Sequence, residues 1–371
     1  MEFSAKKSDL LKEIDLAQGV VEKKATIPIL SNFLLEAKDG RVHLSATDLE
    51  LGLLTSCAAK VKKEGSGTVP ARRLVDIVRS LPEADIKLKV LENHWVQLTC
   101  ERSSFKLVGM ARDNFPALPA VPGTLAKVPG GALATLIKRT SFAVSSEESR
   151  YTLNGAMLML KPDSAAMVAT DGHRLAMVEQ DVTVDEVNND LRILVPRKAM
   201  GELEKLLAQA GDDAKVEVSK DDSHLFFTVG DRVLISRLLT GQFPNYEAVL
   251  PKETPRIAEL DKDAFTAAVR RVALLSDERS HAIRLQLDKG QLQLFSTSGE
   301  YGEAQEAIDA EYDGEAMEIG FNHQYILDFL GVLADGGKVR LELQDEQSAG
   351  QLRPVGEESH RYRYVVMPMR I

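Results

Sequence analysis

The run Thr170-Asp171-Gly172-His173-Arg174 places an acid, an imidazole and a guanidinium close together in the sequence. An aspartate beside a histidine can transfer protons, and an adjacent arginine suits an anionic substrate. A second Thr-Asp pair, Thr47-Asp48, has neither His nor Arg beside it, which favours a structural role for the aspartate in a turn. The alternative, a metal-independent enzyme that acts on a small anion in a His173/Arg174 cleft between the second and third domains, stays open at this point.

Other catalytic and metal-binding patterns are missing from the sequence. It contains no GxSxG or HExxH motif and no complete phosphate-binding loop. The seven histidines do not follow metal-ligand spacing, and Cys57 and Cys100 form neither a CxxC pair nor a disulfide framework. We therefore expect no metal and no cofactor.

Composition is that of an ordinary folded chain. Of 371 residues, 44% are hydrophobic and 27% are charged, which argues against disorder. No run approaches the roughly 20 apolar residues of a membrane span, and the N-terminus lacks the order of a secretory signal. We expect a cytoplasmic protein that does not contact membranes.

Charge is distributed unevenly over the sequence. The net charge is −10, yet the first third leans basic and the last third is strongly acidic. The predicted helices carry cations opposite their apolar stripes, whereas acids gather in predicted strands and loops. Such helices can hold a polyanion through its phosphates without reading sequence, although solvated helix faces are the alternative explanation.

An ordered repeat runs through the whole chain. Its landmarks are a threonine-containing turn, a Val-Pro or equivalent segment before a helix, and a closing apolar-Pro pair. The turns begin at Thr47, Thr170 and Thr297, and the closing pairs are Phe115-Pro116, Phe243-Pro244 and Met367-Pro368. Because this period is too long for a solenoid, the repeat predicts three domains of one fold, residues 1–122, 123–251 and 252–371.

Each repeat has the same predicted order of elements. An amphipathic helix is followed by alternating strands, a second helix and more alternating strands. The predicted second helices cover Arg72–Leu81, Arg197–Ala210 and His323–Ala334. Strands that bury one face need helices over that face, so the class is α+β, with two helices and antiparallel sheets in each domain.

Seven motifs in this order resemble a known family, the beta subunits of bacterial DNA polymerase III, which are sliding clamps. They are Thr26-Ile27-Pro28-Ile29-Leu30, Val69-Pro70-Ala71-Arg72, Arg150-Tyr151-Thr152-Leu153-Asn154-Gly155, Thr170-Asp171-Gly172-His173-Arg174-Leu175-Ala176, Val195-Pro196-Arg197-Lys198, Phe243-Pro244-Asn245-Tyr246 and Val365-Val366-Met367-Pro368-Met369-Arg370-Ile371. The resemblance implies a non-catalytic processivity factor for DNA replication. It implies a ring-shaped homodimer with helices lining the hole and sheets outside, bound to duplex DNA, a replicative polymerase subunit, the clamp loader and other clamp-motif proteins.

The resemblance also implies three sets of site residues. The implied DNA-facing residues are Lys24, Arg72, Arg73, Arg150, Tyr151, Arg197 and Lys198. The implied peptide-binding groove comprises Leu153, Thr170, Gly172, His173, Arg174, Leu175, Pro244, Val249, Val365, Val366, Met367, Pro368, Met369 and Arg370. The implied dimer interface packs Phe105 and Leu107 against Leu274 and Leu275 of the other copy. The sequence departs from the family pattern at Glu147 and Thr152, where a neutral amide and an aromatic residue are expected.

Overall fold

The structure is a computed structural model that describes residues 1–22, 26–147, 149–187, 189–356 and 360–370. Within these residues, helices α1 to α6 are Lys7–Gln18, Ala71–Ser80, Gly130–Thr140, Arg197–Ala210, Lys262–Ala273 and His323–Val332. Strands β1 to β25 are, in chain order, Glu2–Lys6, Asn32–Lys38, Arg41–Thr47, Leu51–Ala58, Lys60–Lys63, Gly65–Pro70, Asp85–Val90, Trp95–Cys100, Ser103–Val108, Ala126–Pro129, Gly155–Lys161, Ser164–Thr170, Arg174–Asp181, Leu191–Pro196, Lys215–Lys220, His224–Val229, Arg232–Arg237, Arg256–Asp261, Ala282–Asp288, Gln291–Ser298, Gly302–Asp309, Met317–Asn322, Lys338–Leu343, Gly350–Pro354 and His360–Val366.

These elements form two compact units, each built on two antiparallel sheets. Unit 1 comprises Met1–Gly131, Asp185–Val187 and Lys198–Leu238, and unit 2 comprises Ala132–Val184, Asn188–Arg197 and Leu239–Ile371. In unit 1 the strand orders are β5-β1-β7-β8-β9 and β10-β15-β16-β17-β4-β3-β2-β6. In unit 2 they are β14-β11-β12-β13-β25-β24-β23-β18 and β21-β20-β19-β22.

Each eight-stranded sheet joins strands from two sequence repeats. In unit 1, β4 of the first repeat pairs with β17 of the second. In unit 2, β13 of the second repeat pairs with β25 of the third. We call these pairings the β4·β17 and β13·β25 joints. In the smaller sheets, the edge strands are β5 and β9 in unit 1 and β21 and β22 in unit 2.

The helices bury the apolar stripes that their sequences predict. In α2, Ala71, Leu74, Val75 and Val78 recur every three or four residues and are fully buried. This helix packs against α1 in unit 1, and α5 packs against α6 in unit 2. Asp261 begins α5 by accepting a hydrogen bond from the backbone N–H of Ala264 (2.8 Å), which satisfies an otherwise free helix donor.

The α+β class and the two helices per repeat are confirmed. Predicted and observed bounds agree for Arg197–Ala210, and the other two predicted second helices differ only at their ends, as Ala71–Ser80 and His323–Val332. The α6 helix ends early because Leu333 is already extended, with φ −79° and ψ 156°. Local periodicity did not reveal that the large sheets are shared between repeats.

Candidate functional site

The Thr170–Arg174 segment is a tight turn between β12 and β13 that is held by its own side chains. The Asp171 carboxylate accepts hydrogen bonds from the backbone N–H groups of His173 (2.9 Å) and Arg174 (3.0 Å). Thr170 Oγ1 donates to the Arg174 carbonyl (2.7 Å). Gly172 has a φ of +91°, a left-handed conformation that glycine adopts without steric cost.

The first repeat contains the same turn without His or Arg. Asp48 Oδ1 accepts from the backbone N–H groups of Glu50 (2.9 Å) and Leu51 (2.6 Å), and Thr47 Oγ1 donates to the Leu51 carbonyl (2.6 Å). An aspartate that accepts the same backbone hydrogen bonds in both turns has a structural role. The prediction that Asp171 shapes a turn agrees with this geometry.

Arg174 is engaged on every side of its guanidinium. Its Nε lies 3.0 Å from the Asp171 carboxylate, its Nη1 lies 2.5 Å from Asp328 Oδ2, and its Nη2 donates to the Phe142 carbonyl at 2.6 Å. The guanidinium also stacks over the Tyr325 ring, 4.4 Å from the centroid. The side chain is only 10% exposed, so it fixes the turn against α6 and is not free to hold a small anion.

A cavity of about 120 Å³ opens beside this turn, within unit 2. The predicted groove residues that line it are Leu153, Thr170, Gly172, His173, Arg174, Leu175, Pro244, Val249, Val365 and Met367. Its floor is an apolar cluster that includes Val168, Leu175, Phe243, Tyr246 and Val365, with the half-buried Met157, Met159 and Met177 packed around it. An apolar cavity with the flexible Met367 in its lining suits a ligand with hydrophobic side chains.

One residue that was not predicted lines the cavity, and four of the predicted groove residues do not line it. Tyr246 lines the cavity, and its hydroxyl lies 3.4 Å from Met159 Sδ. Its position three residues after Phe243 was a signal available in the sequence. Val366 is 2% exposed and packs with Phe265 and Phe321 on the opposite face of β25, because successive residues of a strand point to opposite faces. Pro368, Met369 and Arg370 do not line the cavity either, and Met369 pairs with the backbone of Gly320.

The predicted DNA-facing residues lie on exposed surfaces where they are described. Arg72 and Arg73 are exposed on α2, and Arg197 and Lys198 are exposed at the start of α4. Lys198 forms ion pairs with Glu50 and Asp48. Tyr151 is 70% exposed, and Arg150 bonds the Asp171 carbonyl (2.9 Å) and Glu147 (2.9 Å). Lys24 lies outside the described residues.

The predicted interface residues lie at the two unpaired sheet edges or beside them. Phe105 and Leu107 are half-buried on one face of β9, and Lys106 is exposed on the other. Leu274, just after α5, is 79% exposed, and Leu275 is half-buried. The α5 helix packs against β21.

Two other kinds of site are absent from the residues that the structure describes. No group of three or more His, Cys, Asp or Glu side chains is placed to hold a metal ion. No helix in that part of the chain has the length and apolar character needed to cross a membrane.

Three family models match the chain in sequence. The N-terminal, central and C-terminal domains of the DNA polymerase III beta subunit match residues 1–119, 127–245 and 247–370. The beta sliding clamps of Pseudomonas putida and Escherichia coli K12 are 38% and 35% identical to it, with full coverage of both chains. The crystal structure of the DNA polymerase III beta subunit from Pseudomonas aeruginosa superposes with a TM-score of 0.93 at 37% identity, again over the full length of both chains. A chain that matches all three domain models and full-length clamps at this identity belongs to the DNA polymerase III beta subunit family, the bacterial beta sliding clamps.

Proposed function

We propose that the chain closes as a homodimeric ring around duplex DNA and tethers the replicative polymerase for processive synthesis. The observation that carries this proposal is that β9 and β21 are edge strands, whereas their counterparts in the other repeats, β17 and β25 for β9 and β4 and β13 for β21, pair with each other at the two joints. We assign residues 1–122, 123–251 and 252–371 to the three domains. Domain 1 of each protomer would then meet domain 3 of the other, which closes the ring twice.

The two internal joints suggest how the free edges pair. Each joint links the strand after the threonine-containing turn of one repeat to the last strand of the next repeat's closing hairpin, as β4·β17 and β13·β25. The strands left over from this rule are β21 of the third repeat and β9 of the first. At the β4·β17 joint, Leu53 and Leu234 face each other and are buried. Phe105 and Leu107 are their half-buried counterparts on the open edge.

The β4·β17 joint also supports one register for the intermolecular pair. Gly52 pairs with Thr47 of its turn, and it faces Ile235 across the joint. Glu303 pairs with Thr297 in the same way, and Lys106, like Ile235, is the fourth residue of its strand. The register therefore places Lys106 opposite the partner subunit's Glu303. Opposite charges directly across an antiparallel pair are favourable.

DNA contact is proposed for the exposed cations on the helices, Arg72, Arg73, Arg197 and Lys198, together with Arg150, Tyr151 and Lys24. Arginine and lysine contacts to phosphate are strong at low salt and independent of sequence. A topologically closed ring needs only such weak contacts, so it can slide without escaping. Glu147 neutralises part of the Arg150 charge, so we expect Arg150 to contribute less than Arg72 or Arg73.

The cavity in unit 2 is proposed to take short, partly apolar peptides of the polymerase subunit, the clamp loader and other partners. Its apolar floor and the flexible Met367 in its lining support this assignment. We propose no catalytic activity. The alternative enzyme would use His173 and Arg174, but Arg174 is committed to Asp171, Asp328 and the Phe142 carbonyl, and the Asp171 carboxylate near His173 is committed to the turn. A cytoplasmic location and the lack of any cofactor belong to the same proposal.

Retention on DNA of two topologies tests the ring. The protein is loaded by its clamp loader onto nicked circular plasmid and is then separated from free protein by gel filtration, before and after the plasmid is linearised. We expect retention on the circle and loss from the linear form. Equal loss from both forms would contradict the ring, and linear DNA with both ends blocked by bound protein serves as the control that should retain it.

A further inference from the structure

A second cleft lies next to the groove cavity in unit 2. Its volume is about 520 Å³, and Leu250, Gln351, Arg353 and Arg363 are among its lining residues. Leu250 also packs on the apolar floor of the groove, and Gln351 pairs with the groove residue Val365 across β24 and β25. A peptide in the groove can therefore extend into this cleft.

A buried polar pair holds the two arginines of the cleft. Gln351, only 3% exposed, accepts a hydrogen bond from Arg363 Nε (2.6 Å) and donates to Glu342, which is 4% exposed. Arg363 Nη2 also donates to the Pro251 carbonyl (3.0 Å). Arg353 Nη1 lies 3.9 Å from Glu342 Oε1. Both guanidinium groups are thus positioned by side chains that do not move into solvent.

Positive charge in the cleft is only partly neutralised, because the described residues that line it include Arg353, Arg363 and Lys252 but only the carboxylates of Glu247 and Glu342. In the part of the chain that the structure describes, Glu342 is the one carboxylate that forms an ion pair with either arginine, and it does so with Arg353 alone. Arg361, two residues before Arg363 on the same face of β25, instead pairs with both Glu179 and Asp181. Burial and the neighbouring charge of Arg353 lower the pKa of Arg363. A partly buried guanidinium next to another positive charge is stabilised by an added carboxylate, which can accept two parallel N–H hydrogen bonds from it.

We infer that the Arg353/Arg363 cleft is a subsite for an acidic side chain of the same peptide whose apolar residues occupy the groove. The inference rests on the proposed peptide-binding function of the groove. The subsite takes an aspartate or glutamate next to the apolar segment, and it favours partners that carry one. Arg353, 42% exposed, is open to such a ligand, whereas Arg363 sits deeper and orients it.

Two fluorescein-labelled synthetic peptides test the subsite on the full-length protein. They share a four-residue segment of leucine and phenylalanine, which is flanked on both sides by three glutamates in one peptide and by three glutamines in the other. Fluorescence anisotropy should show about tenfold tighter binding of the glutamate peptide at low salt, the size expected of one charge-assisted pair. In the Arg353→Gln/Arg363→Gln variant, the preference should fall to within about twofold, while the affinity for the glutamine peptide stays unchanged.

Matched variants separate the possible outcomes. Arg361→Gln removes the same charge from the same strand and should keep the preference. Arg353→Gln alone leaves the Gln351 contacts intact, so it guards against misfolding and should lose part of the preference. Met367→Glu, in the groove, should abolish binding of both peptides. Equal binding of both peptides that is still sensitive to Met367→Glu would overturn the subsite and leave the groove standing. Binding that ignores Met367→Glu, or no binding at all, would overturn both.

Discussion

Arg174 shows how one side chain can shape the wall of a cavity through its contacts with neighbouring residues. The guanidinium joins Asp171 in the turn to Asp328 on α6, and its remaining donors reach the Phe142 carbonyl. The groove wall at His173 and Leu175 therefore depends on a contact with a residue 154 positions away in the sequence. Arg174 is best described as a positioning residue for the groove.

Replacing Arg174 with methionine should affect both stability and binding. The change keeps the stem but leaves two carboxylates without their cation, and breaking a largely buried ion pair costs about 3 kcal/mol or more of the free energy of unfolding. We expect that loss by chemical denaturation, together with a peptide affinity in the groove that is at least about tenfold weaker. His173→Ala is the control: His173 is exposed in the cavity wall, so it should weaken binding with little effect on unfolding. Unchanged stability in Arg174→Met would contradict the positioning role.

At this scale the sequence predicted which residues lie around the cavity better than it predicted the contacts of single residues, and peptide binding in the cavity stays a prediction. Ten of the expected groove residues line the cavity, because the motif Thr170–Leu175 folds locally into the turn. The contact between Arg174 and Asp328 could not be predicted, since nothing local connects the two. The burial of Val366 could have been predicted, because successive side chains of β25 point to opposite faces of the sheet and Val365 faces the groove.

At the joints between repeats, side chains from distant parts of the chain form hydrogen bonds and ion pairs with each other. At the β4·β17 joint, Arg232 on β17 reaches Glu13 on α1 with two hydrogen bonds, of 2.9 and 2.6 Å, and Thr55 on β4 donates to the same carboxylate. The side chains of Glu13 and Arg232 are 9% and 11% exposed. Helix and strand lengths follow from local periodicity, but this pairing needs the second repeat to return to the first, which periodicity does not encode.

Breaking the Glu13–Arg232 pair should destabilise unit 1 specifically. Arg232→Ala leaves a buried carboxylate without its counter-charge. We therefore expect the free energy of unfolding of unit 1 to fall by about 3–5 kcal/mol, measured by chemical denaturation. Replacing both partners, as Glu13→Leu with Arg232→Met, should recover most of that loss, because two apolar side chains need no counter-charge. Asp231→Asn is the matched control: it breaks the exposed Arg41–Asp231 pair in the same sheet and should cost at most about 1 kcal/mol. A double variant as unstable as Arg232→Ala would show that the damage comes from lost packing instead.

Over the whole molecule, the strand pairing at the two internal joints also predicts how two copies would assemble. The joints use β4, β13, β17 and β25, so the counterparts of these strands that remain at sheet edges are β9 in the first repeat and β21 in the third. The charge of the sequence also differs between these two repeats, because the first third of the chain leans basic and the last third is acidic. Unlike edges of this kind favour head-to-tail pairing over pairing of like edges.

Charge exchange across the proposed interface tests both the pairing and its register. Lys106→Glu should place two acids opposite each other at both contacts of the dimer, and Glu303→Lys should do the same with two bases. Each variant should raise the dimer dissociation constant by about tenfold, since each contact contributes modestly at an exposed site. Sedimentation equilibrium at low salt measures the change. The combined variant restores opposite charges and should return to within about twofold of the original dissociation constant. Lys87→Glu, an exposed reversal on β7 away from the edge, should leave the dimer intact. Only the proposed register puts position 106 opposite position 303. A combined variant whose dimer affinity shows the sum of the two single losses would therefore refute that register. If the dimer affinity recovers, retention on circular DNA should recover with it.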